Sequence, residues 1–351
     1  MEFYKLIEAI PPSDGAAYRE AQKRWDACAK PLGSLGLLEN AICEIAALTG
    51  STEVALSPRA VLVLCADNGV VAQGVTQTGS AVTALVARQL TLGRTAVCRM
   101  AARADCRVVP VDMGMRDFAG CPGVLDRRVG NGTADFTAGP AMTRAQAEAA
   151  ILAGAALVRA EAERGTRLLA AGEMGIGNTA TASAVTAALL GADPGQVTGR
   201  GAGLSDEGLR RKRSAIRRGL AVNRPDPNDA LDVLAKLGGF DLAGLCGVFL
   251  GGALYRMPVL IDGFPSAAAA LCAARLCPAA KKAMLASHVS AEPAGALLLR
   301  ALGKKPLIAA EMRLGEGSGA VAAMPLLDMA LAVYRECYTF AEGGIEPYAR
   351  P

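Results

Sequence analysis

Leu314-Gly315-Glu316-Gly317-Ser318-Gly319 sets one carboxylate among three glycines, just before an apolar stretch. A helix cap would explain Glu316 or Ser318 alone, but a cap does not need glycine on both sides of the acid. Residues without side chains let a flat ligand approach the carboxylate, which suits a general base. A second acid lies in Gly172-Glu173-Met174-Gly175-Ile176-Gly177-Asn178-Thr179-Ala180, where a strand-like run opens into an alanine-rich helix. Glycine amides and the free N–H groups of a helix start attract anions, although a plain strand-to-helix turn reads the same way. Gly199-Arg200-Gly201-Ala202-Gly203 comes next, followed by Ser205-Asp206-Glu207, an N-cap with acids in the first turn. Arg210, Arg211, Lys212 and Arg213 follow. Most of these cations form a solvated face; the sharper reading has one lysine joining the glycine amides around a phosphate.

These turns need a frame. Short apolar runs at Ala60–Ala66, Arg107–Met113, Arg167–Ala171, Pro258–Ile261 and Ala283–Ala286 alternate with helical spacing such as Arg144–Arg164. The alternation predicts an α/β fold, a parallel sheet with helices on both faces in the Rossmann-like manner. Each run ends in a polar or glycine-rich turn, and such sheets bind ligands at the carboxyl ends of their strands. The first fifty residues read as helical, as does a pattern from Gly319 to about Tyr338. A small helical domain from 1–50 and 316–351 is therefore expected beside a large α/β domain over 51–315.

Composition narrows the function classes. The chain has 351 residues, 52% of them apolar, a net charge of +4 and only 4% aromatic residues. Disorder is excluded by the apolar content, and neither a strong basic balance nor aromatic platforms speak for nucleic acid. The longest apolar run, Leu242–Tyr255, is too short and too glycine-rich to span a bilayer and reads as a core helix. The N-terminus lacks a secretory pattern, and ten cysteines without a CxxC pair fit a cytoplasmic chain with reduced thiols. One histidine, His288, excludes multi-histidine metal sites and is read as a structural group, as are the strand-end acids Asp112 and Asp262. There is no GxSxG, no GxxxxGK[ST] and no paired-acid run to hold magnesium for a pyrophosphate-activated ribose.

Taken in order, the motifs resemble the nicotinate-nucleotide–dimethylbenzimidazole phosphoribosyltransferase family of cobalamin lower-ligand synthesis. They are Lys30-Pro31-Leu32-Gly33-Ser34-Leu35-Gly36 with Glu39, Ala66-Asp67-Asn68-Gly69-Val70, Gly132-Thr133-Ala134-Asp135-Phe136, the Glu173 and Gly201 stretches, Gly238-Gly239-Phe240-Asp241, Asp262-Gly263-Phe264, Ser287-His288-Val289-Ser290-Ala291-Glu292 and the Glu316 stretch. The resemblance implies transfer of 5-phosphoribosyl from nicotinate mononucleotide to 5,6-dimethylbenzimidazole or a related base, with no cofactor and no metal, by a homodimer. It implies Glu316 as the catalytic base and Glu173 as a second active-site acid. Gly175, Ile176, Gly177, Asn178, Thr179, Gly201 and Lys212 would hold the 5′-phosphate. Ser290 and Gly317 would be nucleotide contacts, and Thr78, Val86, Met174 and Leu314 would form the base pocket.

Two positions depart from the pattern. Asn68 stands where a histidine is common after Ala-Asp, and apolar Val86 stands where a polar amide is expected. A different acceptor base (adenine, another benzimidazole, a phenol) and a non-catalytic nucleotide-binding subunit are the alternatives these leave. A dinucleotide-dependent oxidoreductase, suggested by the GxGxxG/A match at Gly175–Ala180, lacks the ribose-holding acid about 20 residues on.

Overall fold

The computed structural model describes residues 2–12 and 15–348. The outermost parts of the expected terminal domain, residues 1, 13–14 and 349–351, lie outside the described residues. Six strands form one sheet in the order β3-β2-β1-β4-β5-β6: β1 Arg59–Ala66, β2 Cys106–Gly114, β3 Leu125–Asp126, β4 Leu168–Met174, β5 Val259–Ile261 and β6 Met284–Ala286. Every pairing is parallel, with Arg59 opposite both Cys106 and Leu168. The five expected strands are all present. β3 adds a sixth, two exposed residues long.

Strand alternation splits the core in two. Leu62, Leu64, Val111, Leu169 and Ile261 join the helices Arg144–Glu163, Asn178–Leu190, Phe240–Leu254 and Phe264–Leu276 on one face. Val61, Val63, Cys65, Ala170 and Leu260 join Gly15–Ala27, Leu37–Thr49, Ala81–Thr91, Ala96–Arg103 and Ser318–Glu336 on the other. Helices from both chain ends thus cover the second face. They are tied by the Trp25–Tyr334 ring contact and by Ala29 N–H donating to the Tyr338 carbonyl.

The apolar run 242–255 is the buried helix Phe240–Leu254. Its glycines let it lie backbone-to-backbone on Arg144–Glu163: a methyl on Gly247 would overlap the Ile151 carbonyl, and one on Gly154 the Gly244 carbonyl. Gly247→Ala is therefore expected to destabilise the protein by about 3 kcal/mol, overpacking outweighing the usual helix gain of alanine. Urea unfolding checks it. A change within about 0.5 kcal/mol would show that the two helices separate freely.

Candidate functional site

At the carboxyl ends of the strands lies a cavity of about 390 Å³. Six segments wall it: Val75–Thr78, the turn after β4, the glycine turn before helix Asp206–Asn223, Gly263–Pro265 after β5, the segment after β6, and the turn into helix Ser318–Glu336.

The β4 turn is set by close approach. A side chain at Gly175 would strike the Ala66 carbonyl and the Asp241 carboxyl, and Gly177 takes a left-handed φ of +95° to start helix Asn178–Leu190. Thr83 locks the turn sideways: its hydroxyl donates to Asp67 (2.6 Å) and accepts from Ile176 N–H (3.2 Å). Asn68 is fully buried behind the turn, its amide 3.5 Å from Asp241 Oδ2 and its carbonyl oxygen without a partner. Burial pushes the Asp241 carboxyl up to about 6.

Gly315, Glu316 and Gly317 run through three consecutive left-handed conformations, at φ +91°, +60° and +85°. Glu316 is the one residue of the three with a Cβ to strain, and the packing of its carbonyl against Gly172 fixes it there. Its N–H donates to the Glu173 carbonyl (3.2 Å), so the two glutamates share one backbone contact. The half-buried Glu316 carboxylate accepts from Val97 N–H (3.3 Å) in the first turn of helix Ala96–Arg103. Glu173 differs in character. It is 5% exposed, bonded by the Asn178 amide, and burial together with the nearby Asp241, Asp262 and Glu316 carboxylates drives its pKa well above the usual range. The pair therefore joins a buried carboxyl whose uncharged form its surroundings favour to a second one open to the cavity.

At the opposite wall Lys212 is 1% exposed, donating to Thr179 Oγ1 (2.8 Å) and the Gly199 carbonyl (3.2 Å). Burial lowers its pKa to about 8. Asp262 accepts from Gly317, Gly319 and Ala320 N–H and so caps the helix that follows Glu316. Burial raises its pKa, and the neighbouring His288 opposes that rise. His288 is buried, with Nδ1 3.1 Å from the Ser287 hydroxyl, and burial lowers its pKa. Asp112 holds Gly114 and Met115 N–H and pairs with Arg128. Asp112 and Asp262 thus hold backbone turns, while His288 also lines the cavity.

Of the residues expected at a site, Glu316, Glu173, Gly175, Ile176, Gly177, Asn178, Thr179, Gly201, Lys212, Ser290, Thr78, Met174 and Leu314 all line this one cavity. Two do not. Gly317 is buried behind the wall, bonded to Asp262, and Val86, partly buried, packs against the second core. The amides of Ile176 and Gly201 already have acceptors, Thr83 and Glu292. Sequence reasoning missed roles for Arg200, Glu292 and Arg313 on the wall; Gln77, in the expected base-binding segment Thr76–Ser80, also lines it and its amide bonds the Gly203 carbonyl. Glu292 had a signal in its place two residues after Ser290; Arg313 had one in its place directly before the Glu316 stretch.

The phosphoribosyltransferase family profile matches residues 10–345. A protein of Ruminiclostridium cellulolyticum named nicotinate-nucleotide–dimethylbenzimidazole phosphoribosyltransferase is 44% identical over 348 residues, 99% of each chain. One of the same name from Roseiflexus is 46% identical over 97% of each. The crystal structure of CobT from Thermus thermophilus superposes with a TM-score of 0.89 at 42% identity, covering 95% of this chain and 100% of that one. The chain belongs to the nicotinate-nucleotide–dimethylbenzimidazole phosphoribosyltransferase family.

Proposed function

We propose that this chain transfers 5-phosphoribosyl from nicotinate mononucleotide to 5,6-dimethylbenzimidazole, releasing nicotinate and α-ribazole 5′-phosphate for the nucleotide loop of cobalamin. One observation carries the reading: a buried lysine at one wall of a single cavity, with two glutamates at the other, one buried and one open to the cavity. The 5′-phosphate lies against Lys212, Thr179 and Ser290. The base enters beside Thr78, Met174 and Leu314, the last 56% exposed at the mouth.

The chemistry follows from the substrates. The pyridinium of nicotinate mononucleotide takes the electron pair of the breaking C1′–N bond and departs as a neutral ring. The imine nitrogen of the base attacks C1′ from the opposite face, turning β into α. Its other N–H becomes acidic as the new bond forms, and Glu316 accepts that proton. Burial favours the uncharged form of Glu173, which donates a hydrogen bond to the ribose and adds no charge that would hold back the departing pyridinium.

The same reading takes 1–50 with 316–351 as a small helical domain beside the 51–315 body, working in the cytoplasm as a homodimer. The Trp25–Tyr334 contact supports the joining of the two ends. Leu85, exposed on helix Ala81–Thr91, and Leu92, exposed just beyond it, support a contact surface. No helix among the described residues is long and apolar enough to cross a membrane.

Chromatography of the protein mixed with nicotinate mononucleotide and, in parallel, dimethylbenzimidazole, adenine and phenol tests the reaction. Nicotinate and an α-ribazole phosphate in equal amounts are expected with dimethylbenzimidazole. Nicotinate without a new nucleotide would mean hydrolysis, and no nicotinate from any mixture would end the proposal. A product with adenine or phenol alone would move the acceptor and keep the reaction class.

A further inference from the structure

Glu292 has no part in the proton transfer, yet it touches the same wall as Lys212. Its Oε1 accepts from Gly201 N–H (3.1 Å). Its Oε2 is buried without a hydrogen-bond partner and fills the space a side chain on Gly199 would need. The carbonyl of that same Gly199 accepts from Lys212 (3.2 Å). The Gly199–Gly201 segment is therefore gripped twice, by a carboxylate on its N–H and by an ammonium on its C=O. A buried carboxylate oxygen left without a donor is costly, and so needs a reason to be kept.

We propose that Glu292 is a positioning residue: it clasps the Gly199–Gly201 segment over Lys212 and supplies the negative charge that keeps this lysine an ammonium ready for phosphate.

The surrounding charges single it out. On the lysine's own helix, Arg211 pairs with Glu207, Arg217 pairs with Asp193, and Arg213 donates to the Thr198 carbonyl. On the facing turn, Arg200 pairs with Asp206. From helix Asn178–Leu190 the neutral Thr179 hydroxyl meets the ammonium. Glu292 is the carboxylate whose field opposes the loss of the lysine's proton on burial. The inference rests on the phosphate-binding reading above.

Glu292→Gln keeps an acceptor for Gly201 and removes the charge. Calorimetric binding of nicotinate mononucleotide from pH 6.5 to 9 is the measurement, with kcat at saturation alongside. Wild-type affinity should fall as the pH passes about 8. In Glu292→Gln the fall should come about one unit lower, the size of losing one nearby opposite charge. Binding should then be about fivefold weaker at pH 8 and within about twofold at pH 6.5, with kcat unchanged. Should the glutamine variant not fold, Glu292→Asp, which draws the charge back by one methylene, should move the midpoint the same way by less. A midpoint identical to wild type overturns the proposal, and so does an equal loss at every pH, which would leave only a holder of the loop. If the wild type binds no nicotinate mononucleotide, the functional reading falls. Inorganic phosphate titrated over the same pH range then tests the lysine–glutamate pair, with the same two outcomes deciding it.

Discussion

Glu316→Gln lowers kcat by about 10²–10⁴-fold and leaves the affinity for nicotinate mononucleotide within about twofold. The magnitude is that of one positioned base. The geometry says why the loss appears in kcat. Glutamine has the same shape, keeps an acceptor for Val97 N–H, and meets the same φ of +60° as the native residue. The glycines on either side and the Asp262 cap beneath do not change. What disappears is the ability to take a proton as the base nitrogen bonds to C1′, and that interaction exists only on the way to the transition state. Steady-state kinetics with each substrate varied in turn would check it. Equal turnover in the mutant would remove Glu316 from the proton step. A raised KM with unchanged kcat would make it a binding group.

The frame was legible because parallel strands buried on both faces are short apolar runs, and each such run became a strand. β3 was not, since two exposed residues at the sheet edge carry no periodic signal. Glycine spacing located the site for a physical reason: Gly172, Gly175 and Gly199 are places where a Cβ would overlap a neighbouring backbone or carboxylate. It failed where the third dimension decides. Val86 belongs to the core side of its helix, and Gly317 turns its amide to Asp262 and away from the cavity. The orphaned oxygen of Glu292 and the raised pKa of Glu173 come from neighbours far apart in the chain, so no local pattern announces them.

Lys212→Met tests the other wall, through ligand and pH together. A charge-assisted bond to phosphate contributes roughly 1.5–3 kcal/mol, so binding of nicotinate mononucleotide should weaken by about 10–100-fold. Binding of the unphosphorylated riboside should change by less than about twofold, because the riboside offers Lys212 no phosphate. Equal losses for both would mean that the lysine shapes the cavity and does not hold the phosphate. The free protein gives a second readout of opposite sign. Unfolded, the lysine keeps its proton up to about 10.4; folded, it releases it near 8. Between those values the unfolded chain binds more protons, so wild-type stability rises with pH across that window. Below pH 8 the buried ammonium costs the empty protein about 3 kcal/mol. Lys212→Met should therefore unfold at higher urea than wild type at pH 7, and the gap should close from pH 8 towards 10. Nucleotide at saturation should shrink the gap at pH 7, because it rewards the charge that the empty fold strains to bury. A gap that did not vary with pH would place the lysine's charge in water, and the anchor for the sugar phosphate would have to be sought elsewhere on the wall.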